Sequence, residues 1–173
     1  MKNQKNLYVN LFVGGTATIQ LPNTAVTITQ QTAYPWEGKN DITIAPAKTA
    51  QFALRIRIPG WALSRPSSGD LYKDETPESP IQLLVNGKVF SYTMEKGYAV
   101  VDRIWKKGDK VSFTLPMDVR KILANNNVKA DKSKFALQRG PMVYCLEGND
   151  NTSASVMSLV VDKSAPVTAS YQQ

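Results

Sequence analysis

From Phe52 to Ile58 every second residue is apolar: Phe52, Leu54, Ile56 and Ile58 alternate with Ala53, Arg55 and Arg57. A period of two sends successive side chains to opposite faces of a strand. The stretch therefore predicts an antiparallel strand with one buried face and one face carrying two guanidinium groups. Pro59 lacks a ladder donor and Gly60 frees the backbone, so the strand is expected to stop there, with Trp61 at its exit. The alternation recurs along the chain. Leu7–Val13 mixes apolar and polar positions up to Gly14-Gly15. Ala17, Ile19 and Leu21 alternate with threonine and glutamine as far as Pro22-Asn23, and Val26 and Ile28 return against Thr27 and Thr29, whose β-branches fit a pleated surface.

Further on, Asp41–Ile44 reads as a short strand. Asn86-Gly87 lies between Gln82–Val85 and Lys88–Tyr92, the strongest short-range hairpin signal a sequence offers. Gly97–Arg103 and Lys110–Pro116 add two strands; in the second, Val111, Phe113 and Leu115 point inward, and Met117–Ile122 reads as its continuation. Met142–Leu146 is an apolar strand, and Val156–Val161 reads as one more. No segment sustains a helical period. About ten short strands separated by turns predict an all-β fold, an antiparallel β-sandwich of jelly-roll type. A closed barrel is the alternative, but Ser64–Pro80 lacks periodicity, reads as an exposed loop, and suits a crossing between sheets. Residues 1–150 are expected to form the sandwich and residues 151–173 a C-terminal extension.

Composition narrows the partners. An apolar content of 42% supports a packed core, and a net charge of +7 without histidine stays nearly constant from about pH 5 to 8. The basic residues are dispersed; only Lys106-Lys107 and the run from Lys129 to Lys134 approach a cluster, and no nucleic-acid motif accompanies them. A solvated surface without a nucleic-acid partner is the favoured reading. There is no apolar run of signal-peptide or membrane-spanning length, so the chain is expected to be soluble, or a piece of a protein whose targeting segment lies elsewhere. The single cysteine excludes an intramolecular disulfide and leaves the compartment open.

The absence of histidine removes Ser-His-Asp and Cys-His pairs and histidine-rich metal sites. Cys145 alternates with Val143 and reads as a small buried hydrophobe rather than a nucleophile. Paired carboxylates can hydrolyse glycosides without histidine. Glu37, Glu95, Asp102 and Glu147 lie on strands or at their ends, yet turn and surface roles are favoured for each; Asp74, Glu75 and Glu78 read as solvated loop residues. No phosphate-binding glycine loop is present, and Gly148–Asn151 is only a faint calcium pattern, so neither cofactor nor metal is expected. Tyr34, Trp36, Trp61 and Trp105 all stand at strand ends or turns. Exposed there, such rings stack on the C–H faces of sugars; packed, they plug the ends of a sandwich or meet a neighbouring domain. The packing reading is favoured.

Six strings taken together resemble a known pattern: Leu7–Phe12, Thr32–Gly38, Leu54–Ala62, Val85–Gly87, Gly97-Tyr98 with Trp105–Asp109, and Ala136–Tyr144. They are similar, in order and spacing, to the C-terminal β-sandwich region of glycoside hydrolase family 127, the β-L-arabinofuranosidase type, over roughly residues 7–150. The resemblance implies a catalytic (α/α)₆ barrel lying before the sandwich, with a cysteine nucleophile beside a second cysteine, held with zinc and glutamates. No Cys-Cys pair and no Glu-x-Cys occurs here, so no catalytic residue transfers. What is implied is a non-catalytic module that buttresses the barrel or mediates homodimer contacts, with Tyr34-Pro35-Trp36 and Pro59-Gly60-Trp61 near that interface. The alternatives are a module binding arabinose-containing carbohydrate and, more weakly, a self-sufficient carboxylate glycosidase. A second sandwich expected after Tyr144 is cut short.

Overall fold

The alternating segments pair as strands of two facing sheets, and a third sheet forms around the chain that follows Pro116. The structure, a computed structural model, describes residues 6–151, 155–162 and 164–170. The strands are β1 (Asn6–Val9), β2 (Gly15–Gln20), β3 (Ala25–Thr32), β4 (Lys39–Pro46), β5 (Ala50–Arg57), β6 (Tyr72–Asp74), β7 (Leu83–Val85), β8 (Lys88–Val89), β9 (Thr93–Glu95), β10 (Tyr98–Trp105), β11 (Asp109–Thr114), β12 (Val119–Ala124), β13 (Phe135–Arg139) and β14 (Met142–Tyr144). The first sheet runs β1-β5-β10-β9, the second β2-β3-β4-β11-β7-β8, and the third β14-β13-β12-β6. All pairings are antiparallel except β1 with β5, which is parallel. No helix among the described residues is long and apolar enough to cross a membrane.

The period-two pattern decides what lies between the first two sheets. Phe52, Leu54 and Ile56 of β5 and Ala99 and Val101 of β10 meet Val26 and Ile28 of β3, Ile42 and Ile44 of β4, and Val111 and Phe113 of β11 in one buried cluster. Arg55 lies on the outer face of β5, reaching Glu95 at 2.8 Å, with its guanidinium carbon 5.9 Å from the centre of the Tyr8 ring. On the outer face of the second sheet, Thr16 pairs with Thr29 and Thr18 with Thr27, each hydroxyl pair 3.0 Å apart. The Asn86-Gly87 hairpin is present, both residues at positive φ (51° and 76°), as a tight two-residue turn requires.

Several expectations fail for one reason: local alternation does not reveal which sheet a strand joins. Met117–Ile122 does not extend β11. That strand ends at Thr114, and β12 begins at Val119 in the third sheet, because Pro116 cannot donate to the old ladder. Ser64–Pro80 is not wholly irregular; it supplies β6, the edge of the third sheet. Val156–Val161 forms no strand but a single 3₁₀ turn at Val156–Ser158. Cys145 is exposed, not buried, since it lies just beyond the end of β14, an edge strand whose Val143 and Tyr144 are themselves exposed.

A buried ion pair fastens the third sheet to the sandwich. Arg120 of β12 is 2% exposed, and its Nη1 donates to Asp74 Oδ2 of β6 at 2.7 Å, to the Trp61 carbonyl at 2.9 Å and to Ser64 Oγ at 3.2 Å. Asp74, expected in solvent, has a side chain only 1% exposed and also accepts the Thr76 N–H at 2.8 Å. One guanidinium thus ties together β12, β6 and the 3₁₀ turn Gly60–Leu63 that follows β5. Arg120 Nε and Nη2 meet no protein acceptor, so the pair carries a desolvation cost that its one short contact only partly offsets.

Two predictions follow from these contacts. Removing one partner of the pair leaves a buried charge, so Asp74→Leu alone is expected to cost about 3–5 kcal/mol in urea unfolding, whereas the double variant Arg120→Met/Asp74→Leu regains most of that loss; strictly additive costs would refute the coupling. At the other end of the sandwich, Asp109 accepts the Lys106 N–H and the Asn86 amide at 2.9 Å each, and Arg103 lies 3.8 Å away. Burial pushes its carboxyl up, but these donors and charges outweigh it and hold the group below the ordinary carboxylate range. A depressed folded value gives stability that is present above the unfolded value of about 3.9 and is lost as pH falls through the folded one. Melting temperature should therefore drop in acid below about pH 4, and Asp109→Asn should flatten that limb while leaving the profile between about pH 5 and 7 parallel to that of the parent chain.

Candidate functional site

Of the four aromatics singled out in the sequence, Tyr34 and Trp61 meet at the seam between the second and third sheets, and Trp36 stands exposed on the same turn as Tyr34. Tyr34 and Trp36 lie on the turn between β3 and β4, which reverses through a cis Tyr34-Pro35 peptide. The Trp61 indole hydrogen-bonds the Tyr34 hydroxyl; burial raises the phenol above its ordinary value, and this bond partly offsets the shift. Tyr34 also packs edge-on against Phe12, ring centres 5.6 Å apart, which joins the seam to the core. Trp36 differs. It is 61% exposed, and its carbonyl accepts Arg139 Nη1 of β13 at 3.0 Å.

Two glycines permit this closeness. A β-carbon on Gly38 would collide with the Leu115 carbonyl, whose own N–H donates to the Gly38 carbonyl at 2.9 Å. Gly140, at φ 58°, turns from β13 into β14 where a β-carbon would meet the Met117 sulfur at 2.6 Å and the Trp61 ring at 3.7 Å. At Glu37 and Gly38 the seam opens into a shallow depression of about 420 Å³, whose polar lining includes Glu37, Ser79, Thr114, Asp118 and Arg139.

Trp105 does not belong to this group. It is fully buried, stacks on Phe52 with ring centres 5.8 Å apart, and donates its indole N–H to the Phe52 carbonyl at 2.9 Å. Its ring has no face for a sugar. Ala99 and Val101 face inward, and Trp105, an even number of residues further along β10, faces inward with them.

The candidate carboxylates do not converge as a set. Glu95 pairs with Arg55 on the outer face of the first sheet, Asp102 is exposed on β10, and Glu147 is exposed after β14. Glu37 alone reaches the depression, where it is joined by Asp118, a residue sequence reasoning passed over because it lies in the assumed continuation of β11. Arg139 was likewise unmarked; only its place in the Ala136–Tyr144 string pointed to it. Among the described residues no group of three or more cysteine, aspartate or glutamate side chains is placed to hold a metal.

A second hollow, about 390 Å³, runs between edge strands β1 and β2. Leu11 and Val13, in the link between those strands, are 72% and 64% exposed, and Tyr8 is 53% exposed. Strand β2 is exposed on both faces apart from the half-buried Ile19.

Comparison with known proteins places this architecture. Residues 6–117 match the family model described as β-L-arabinofuranosidase, GH127 middle domain, and residues 119–171 match the glycoside hydrolase family 127 C-terminal domain. The break between the two falls where the chain leaves the second sheet for the third. The non-reducing end β-L-arabinofuranosidase of Bifidobacterium longum subsp. longum is 31% identical over 152 residues, which make up 85% of this chain and 20% of that enzyme. Among solved structures, a GH127 β-arabinofuranosidase superposes with a TM-score of 0.79 at 35% identity, covering 87% of this chain and 24% of that one. A GH127 β-L-arabinofuranosidase from Geobacillus stearothermophilus T6 gives 0.73 at 35% identity, covering 87% and 22%. The chain thus spans about a fifth to a quarter of the length of these relatives, and it belongs to glycoside hydrolase family 127, of which it carries the middle and C-terminal domains.

Proposed function

We propose that this chain is a non-catalytic portion of a β-L-arabinofuranosidase-type enzyme and supports a catalytic (α/α)₆ barrel. The observation that carries this reading is the open edge of the sandwich: the hollow between β1 and β2, with Leu11, Val13 and Tyr8 exposed around it. Apolar side chains grouped at an unpaired sheet edge are costly in water and favour a covering partner. The family model matched by residues 6–117 is that of a middle domain, and β1, the first strand of that match, forms one wall of the hollow. A barrel preceding the sandwich would reach this edge first. The apolar side chains of the first two sheets, meanwhile, are spent on mutual packing, and the carboxylates named from the sequence are scattered over separate faces.

The test is a chimera in which this chain replaces the matching segment of the Bifidobacterium longum enzyme. The chimera should hydrolyse an aryl β-L-arabinofuranoside, while the 173-residue chain alone should not. Leu11→Asp/Val13→Asp should lower the melting temperature of the chimera and leave the unfolding free energy of the isolated chain within about 0.5 kcal/mol of its parent, as exposed positions do. Hydrolysis by the isolated chain would overturn the non-catalytic reading. An equal loss in chimera and isolated chain would overturn the docking edge.

A further inference from the structure

We propose that Asn86, at the tip of the β7–β8 hairpin, is a site of spontaneous deamidation that stays closed while the tip is bonded to β11, and that the completed reaction leaves this edge of the second sheet weakened. The tip lies at the opposite edge of that sheet from β2, so the inference goes beyond the supporting role and does not depend on it.

Asn86 is followed by the residue that makes an asparagine most reactive. Gly87 has no side chain to shield its nitrogen, it is exposed, and a β-carbon placed on it would meet nothing within 4 Å. In the reaction the Gly87 nitrogen attacks Cγ of Asn86, and the new N–Cγ bond closes a succinimide ring. The Cγ–Nδ2 bond breaks, and the amide group takes up the nitrogen's proton, through water, to leave as ammonia. Water then adds to one of the two ring carbonyls and opens the ring. Addition at Cγ with cleavage of the new bond gives aspartate; addition at the main-chain carbonyl gives isoaspartate, whose backbone runs through the side-chain carbons. Water is the only reactant taken up.

The fold holds both ends of that side chain. Nδ2 donates to Asp109 Oδ1 at 2.9 Å, Oδ1 accepts the Lys110 N–H at 2.8 Å, and the Asn86 N–H donates to the Lys110 carbonyl at 2.9 Å. Closing the succinimide draws Cγ onto the chain and expels Nδ2, so it must break both carboxamide bonds. The gate is small. Strand β8 has two residues, both exposed, paired with β7 at Leu84–Val89 and Val85–Lys88. Edge elements of this kind open at a fraction of the cost of global unfolding. Neither product restores what was lost. An aspartate formed at position 86 sets a second carboxylate where Asp109 now has an amide donor, and two like charges at hydrogen-bond distance repel. Isoaspartate lengthens the backbone of a two-residue turn whose geometry sets Val85 opposite Lys88.

The experiment incubates the intact chain at mildly alkaline pH, folded and in concentrated urea, and follows each asparagine by peptide mass mapping, with an isoaspartate methyltransferase to count isoaspartate. In urea, Asn86 should convert ahead of Asn125, Asn126 and Asn127, none of which precedes glycine. Folding should slow Asn86 by about tenfold or more, because only the opened fraction reacts. Asp109→Ala, which removes the acceptor of Nδ2, should return part of that rate to the folded chain. Asn86→Asp, the product made directly, should lower the melting temperature. In Asn86→Asp/Asp109→Asn donor and acceptor exchange places, so most of the loss should be regained. Circular dichroism establishes which variants fold, and the comparison of folded with unfolded parent chain stands even if Asp109→Ala does not. The proposal is overturned by equal rates in the folded and unfolded chain, by conversion at other asparagines with Asn86 intact, or by a melting temperature of Asn86→Asp equal to that of the parent chain. None of these outcomes bears on the chimera.

Discussion

Strand β5 is held between β1 and β10, and its apolar face is pressed against the second sheet; everything else in the molecule is arranged around that constraint. Leu54 and Ile56 are fully buried, and a shift of one residue in register would exchange them for Arg55 and Arg57. Two desolvated guanidinium groups in an apolar interior would cost far more than any ladder hydrogen bond returns. The register of β10 follows, because Val101 must lie opposite Leu54 and Ala99 opposite Ile56. Trp105 then falls on the inner face, where its one polar group finds the Phe52 carbonyl.

The third sheet obeys a different rule. It has fewer buried apolar residues, and its attachment rests on polar groups withdrawn from water, Arg120 and Asp74. Such groups are poor sources of net stability, yet they discriminate strongly between docked and undocked arrangements, since separating them partly leaves unpaired charge in a dry place. The seam is therefore specified by charge and the sandwich by shape. Trp61 belongs to both, giving its carbonyl to Arg120 and its ring edge to Gly140.

That division bears on function. Family 127 membership accounts for the two domains, and the proposed supporting role uses the apolar edge at β1 and β2. The seam offers something else: a shallow depression lined by Glu37, Asp118 and Arg139. Rigid elements from both sheets converge there, so the geometry of the depression depends on the docking of the third sheet.

The alternation of Phe52, Leu54, Ile56 and Ile58, and of Val111, Phe113 and Leu115, determined the sandwich and its interior from the sequence alone, because burial on a pleated strand has a fixed period. Asn86-Gly87 determined its hairpin through local backbone preference. Only the tertiary structure decided that Asp74 is buried, that Trp105 is core while Trp36 is surface, and that Glu37 meets Asp118 and Arg139. These residues lie tens of positions apart, on strands whose sheet membership no local pattern encodes. Their burial and pairing follow from how sheets pack, a property of the whole chain rather than of any window along it.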